Sequence, residues 1–139
     1  MRRDRPNRSS AGASSRLAAA SLVLGLAGGC AFDIAHVKHA PAVLATGTKE
    51  PAAFTLAQRV DLDIGLGYRR QLREGSTWSY VGTVGAGEVY RSYDQVLTLE
   101  ASNIHEAWLV VSGGRLVGYY LPVEKAYAPA VEVVTLPLR

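Results

Sequence analysis

Cysteine occurs once in the 139 residues, at Cys30. With one thiol, the chain can form no internal disulfide and no cysteine-based metal site. Histidine is scarce as well, with only His36, His39 and His105. No uncharged run reaches the roughly 20 residues that a membrane-spanning helix needs. A surplus of positive charge is also missing where it would matter. The chain carries +3 overall, yet Arg2, Arg3, Arg5, Arg8 and Arg16 all precede Cys30, against Asp4 alone. From Cys30 onward the balance is close to neutral and slightly acidic. The high isoelectric point therefore belongs to the N-terminal segment, and it gives no argument for nucleic-acid binding.

What the sequence does contain is Leu17 to Cys30, LAAASLVLGLAGGC. A basic start followed by a short apolar run is the pattern of an export signal: the arginines stay on the cytoplasmic side while the run enters the membrane. The segment resembles the signal peptide of bacterial lipoproteins. Leu26-Ala27-Gly28-Gly29-Cys30 is similar to the family's lipobox, with Ala27 at the position where Leu is preferred. The resemblance implies cleavage before Cys30, so that residues 1–29 form the signal, and a diacylglyceryl and palmitate-type anchor on the Cys30 sulfur. In enteric lipoproteins an Asp after that cysteine resembles an inner-membrane retention signal. Here Ala31 follows, which implies the outer membrane, facing the periplasm. The Arg2-Arg3 pair lacks the apolar residues that twin-arginine export signals carry next.

Residues 30–53 are expected to be the lipidated cysteine and a flexible tether. Alanine dominates, Pro41 and Pro51 interrupt regular structure, and no sustained period of 2 or 3.6 appears. As a coil of about 20 residues it would span roughly 25 Å. His36 and His39 are read as exposed tether side chains, since Pro41 argues against the helix that would align them on a metal.

Residues 54–139 are expected to form one small all-β domain. Val60-Asp61-Leu62-Asp63-Ile64 alternates strictly, as a strand with one wet face does. Further strands are expected at Trp78–Val84, Glu88–Ser92, Val96–Glu100, Glu106–Val111, Arg115–Leu121 and Val131–Leu138, with short helical turns at Tyr68–Glu74 and Val123–Tyr127. Ser112-Gly113-Gly114-Arg115 reads as a hairpin with a two-residue primed turn. Its simplest register places Val111 opposite Leu116, Val110 opposite Val117 and Trp108 opposite Tyr119. Five or six strands with glycine turns suggest a partly open, SH3-like barrel. Such a domain buries only about 60% of its unfolded surface, so modest stability follows.

Little in this domain has catalytic form. His105 and Glu106 are neighbours, and adjacent strand residues point to opposite faces. Ser112 has no nucleophile-elbow context. Gly65-Leu66-Gly67 and Gly85-Ala86-Gly87 read as turns, because no helix follows to bind a phosphate. No catalytic residue, metal site or cofactor is therefore expected. The aromatics point elsewhere. Most should fill the core, but Tyr119 and Tyr120 are consecutive, so one should face outward. Arg70, Trp78, Tyr93 and Tyr120 are candidates for a peptide- or glycan-binding surface.

The stretches GSTWSYVGTVGAGEVY (75–90) and NIHEAWLVVSGGRLVGYYLPVEKAY (103–127), with Asp94 between them, resemble a group of small proteobacterial lipoproteins that have no assigned activity. The resemblance implies an envelope location and no particular site. The favoured expectation is a membrane-anchored, non-catalytic accessory or binding module, with an envelope protein or peptidoglycan as partner. The alternative is an envelope hydrolase or metal-dependent enzyme.

Overall fold

The computed structural model describes residues 37–47 and 52–139. The signal segment, Cys30 with residues 31–36, and residues 48–51 lie outside the described part. Eleven strands follow in order: β1 Ala40–Pro41, β2 Ala53–Thr55, β3 Val60–Asp63, β4 Arg69–Leu72, β5 Thr77–Val84, β6 Gly87–Ser92, β7 Thr98–Glu100, β8 Ile104–Glu106, β9 Trp108–Ser112, β10 Arg115–Leu121 and β11 Ala126–Thr135. No helix occurs among the described residues. The all-β expectation holds, but Arg69–Leu72 is a strand and residues 122–125 form the turn between β10 and β11.

Seven strands build one antiparallel sheet in the order β1-β11-β10-β9-β6-β5-β2. The sheet has more strands than the five or six expected of a partly open, SH3-like barrel, and it is not closed, because the edge strands β1 and β2 do not pair with each other. The sheet is stitched instead by isolated bridges. Leu56 pairs with Leu138, and Ala45 pairs with Thr83. Arg139 N also donates to the Thr55 carbonyl at 2.8 Å. Two small hairpins, β3-β4 and β7-β8, stand apart from the main sheet in hydrogen bonding.

Both faces of the sheet are buried, and the strand patterns show why. On one face Trp78, Tyr80, Tyr90, Leu109, Val111, Leu116, Tyr119 and Leu121 pack with Leu62 and Leu72 of β3-β4 and Leu99 of β7. On the other, Val84, Val89, Val110 and Tyr120 form a second, smaller core. Full burial of a Leu- or Val-sized side chain contributes roughly 1.5–3 kcal/mol. The continuous burial of Leu109-Val110-Val111 is therefore a large local term.

The second core explains a correction to the tether. Residues 37–47 are not free chain. Ala40 and Pro41 pair with Tyr127 and Ala126. Ala42 N donates to the Lys125 carbonyl at 2.9 Å. Ala45 and Thr83 exchange backbone hydrogen bonds of 2.8 and 2.9 Å. This strap carries Ala42 and Leu44 onto the small core. It conceals the tyrosine expected to face outward, so Tyr119 and Tyr120 are both buried.

The hairpin register departs from the simplest pairing at one residue. Gly113 and Gly114 have φ of 56° and 72°, as a primed turn requires. Leu116 lies opposite Val111 as expected, but a bulge at Val117 then shifts the pairing. Gly118 faces Val110, Tyr119 faces Leu109, and Tyr120 rather than Tyr119 faces Trp108. One extra residue reverses the side-chain parity of everything after it. Leu116 and Tyr119, an odd number apart, consequently share one core.

Candidate functional site

The four residues expected to make a binding surface are not brought onto one surface. Arg70 is structural. Its Nη2 pairs with Glu100, its Nε donates to Thr98 Oγ1 at 3.4 Å, and its Nη1 donates to the Arg69 carbonyl at 3.0 Å. These contacts tie β4 to β7. Trp78 is 1% exposed and belongs to the main core. Its indole donates to Ser76 Oγ at 2.9 Å, and Ser76 donates to the Arg73 carbonyl at 2.7 Å. Tyr120 is buried with its ring 5.9 Å from that of Trp108. Only Tyr93 is open, at 75% exposure.

Around Tyr93, however, a coherent ledge forms. The Arg91 guanidinium carbon lies 4.9 Å from the Tyr93 ring centre and 5.3 Å from the Trp108 ring centre. One cation thus bridges two aromatic faces, each contact worth about 0.5–1 kcal/mol at an exposed site. Trp108 is turned by a hydrogen bond of 2.9 Å from its indole N–H to Glu106 Oε1. Beneath it, Trp78, Leu97 and Ala107 line a cavity of about 130 Å³ together with Tyr93, Arg91 and Trp108. Trp78 and Tyr120 therefore support the ledge from within rather than forming its surface. Arg91 was not among the sequence candidates. The available signal was the Arg91-Ser92-Tyr93 spacing, which places Arg91 and Tyr93 on one side of an extended chain.

The loop that presents Tyr93 is held tightly. Asp94 accepts from Ser92 Oγ at 2.6 Å and from the Thr77 backbone N–H at 3.1 Å. Arg73 donates from its guanidinium to the Asp94 carbonyl. Gln95 accepts from the Arg73 N–H at 3.0 Å and donates to the Gln71 carbonyl. The Ser92 hydrogen bond, helped by the Thr77 N–H and the Arg73 charge, outweighs desolvation and holds the Asp94 carboxyl below its ordinary range. An exposed aromatic on a pinned loop loses little freedom when a partner binds.

The imidazoles form a separate cluster. His105 Nδ1 lies 2.5 Å from Glu124 Oε1, and the His39 ring centre is 6.2 Å from that of His105. Burial opposes ionisation of Glu124, but the His105 hydrogen bond and the nearby imidazoles prevail, and its carboxyl is held low. His105 and Glu106 have different partners, Glu124 and Trp108. No group of three His, Cys, Asp or Glu side chains is arranged to hold a metal among the described residues. His36 and Cys30 lie outside them.

No family model, curated protein or solved structure matches the chain.

Proposed function

We propose that this chain is a lipid-anchored protein of the bacterial cell envelope whose β domain is a non-catalytic binding module. The observation that carries the binding reading is the ledge: Tyr93 exposed on a pinned loop, stacked through Arg91 onto a partly buried Trp108. Aromatic and arginine side chains on a rigid support are the groups that dominate protein recognition sites. Sugar rings and peptide planes both stack on such a surface. The partner class is accordingly an envelope protein or peptidoglycan, with no cofactor and no nucleic acid. The anchor reading rests on Leu17–Cys30, and the absence of Asp after Cys30 favours the outer membrane.

The test combines two measurements on the full chain. Soluble muropeptides from peptidoglycan are titrated while tryptophan emission is followed. A photo-crosslinking phenylalanine derivative at position 93 is irradiated in living cells. The expected result is a saturable emission change that Tyr93→Ala and Trp108→Phe abolish, or a discrete adduct between position 93 and one envelope protein. No emission response together with no adduct would remove the ledge as a binding surface.

A further inference from the structure

A second cavity, independent of the ledge, opens on the side of the domain formed by β3, β11 and the strap. It has a volume of about 300 Å³ and is lined by Val37, Ile64, Leu66, Leu99, Tyr119 and residues 128–131, with Lys38 also contributing. That volume lies at the low end for small-molecule sites. It has room for roughly ten groups the size of a water or a methylene.

Both walls are made of backbone that departs from regular strand. Gly65, Leu66 and Gly67 have φ of 85°, 57° and 79°, three left-handed residues in succession. Leucine rarely adopts that conformation, because its Cβ approaches the following carbonyl. Here the conformation holds Leu66 at the lip of the cavity, 55% exposed. On the opposite wall, Pro129 pairs with Gly118 and Val134 pairs with Leu116, while residues 130–133 have no partner on β10. The register of β11 against β10 shifts across this excess length. Irregular backbone that the surrounding fold maintains often marks a functional site.

The third observation is Tyr119. It belongs to the main core, is 3% exposed, and is among the residues that line the cavity. Its hydroxyl has no hydrogen-bond partner among the described residues, yet no fully enclosed side-chain oxygen there lacks a partner. The hydroxyl therefore retains access to open space. A buried phenol ordinarily finds a partner. Burial, and then the charge of Asp63, keep this phenol in its neutral form. It is thus available as a donor.

From these features we infer that the Tyr119 cavity is a binding site for a short apolar chain bearing one hydrogen-bond acceptor, which the Tyr119 hydroxyl meets. The walls supply apolar contact, and the phenol fixes the orientation of the ligand.

Octan-1-ol is a suitable probe, added to the full chain with isotope-labelled methyl groups. The readout is local, since an apolar probe also has affinity for Leu17–Gly29. The expected result is a saturable shift of the Leu66, Leu99 and Val131 methyl signals, with Val89 and Val110 of the other core unmoved. Tyr119→Phe, which removes only the hydroxyl, should weaken the response roughly fivefold. Ala130→Phe, which fills the cavity, should abolish it. If the shifts do not saturate, or if Tyr119→Phe binds as tightly as the wild type, the assignment is wrong. Should Ala130→Phe fail to fold, the Tyr119→Phe comparison decides alone.

Discussion

The Tyr127 ring of β11, whose register partner is Tyr120, reaches over Gly118 of β10. A Cβ at position 118 would sit 2.4 Å from Tyr127 Cε2 and 2.6 Å from the Ala128 carbonyl oxygen. The Tyr127 hydroxyl donates to the Val117 carbonyl at 2.9 Å. The missing side chain at 118 thus lets an aromatic cross the strand and secure the bulged residue beside it. Gly118→Ala should destabilise the domain by about 1–3 kcal/mol, because two backbones and a ring would have to separate. Tyr127→Phe loses only the hydrogen bond and should cost about 1 kcal/mol. Urea midpoints at constant slope would establish this order. Equal stability of Gly118→Ala and wild type would refute it.

The strap is expected to contribute to stability rather than to act only as spacer. Ala42 and Leu44 cover Tyr120, Val89 and Val110. A chain starting at residue 52 leaves that core open to water. It should melt less cooperatively, or several degrees lower, than one starting at residue 37. Calorimetry on the two chains measures the difference.

Acid should weaken the fold through Asp94 and Glu124. Both carboxyls are held below their ordinary range by hydrogen bonds present only in the folded chain. Their contribution is complete above the unfolded value near 4 and is lost as pH falls through the lower folded values. Denaturant midpoints should therefore drop from pH 6 to pH 3. Asp94→Asn should flatten the drop, since its site no longer takes up a proton. A drop as steep as that of the wild type would exclude Asp94 as a source.

The β character was legible because it rests on local chemistry. Alternation at Val60–Ile64 and the glycine pair at 113–114 both act within a few residues. The bulge at Val117 was not legible, because the contacts that accompany it are remote in sequence: Tyr127 occupies the space over Gly118 and donates to the Val117 carbonyl. The strap was hidden for a similar reason. Ala40-Pro41-Ala42 has no period of its own, and its pairing is dictated by the open edge of β11. Of the candidate surface, Tyr93 was legible as an aromatic in a turn. Trp78 and Tyr120 went inward because a two-sided sheet needs large side chains on both faces. Arg70 went to Glu100, a partner 30 residues away. Arg91 gained its role only when the sheet placed Trp108 beside it.

The most direct test of the proposed anchor is the intact mass of the protein extracted from membranes of cells that express it. The predicted result is a chain that begins at Cys30 and carries added diacylglyceryl and acyl mass on that residue, with Cys30→Ala accumulating as uncleaved precursor. A wild-type chain that retains Leu17–Gly29, or one cut elsewhere with an unmodified cysteine, would contradict it.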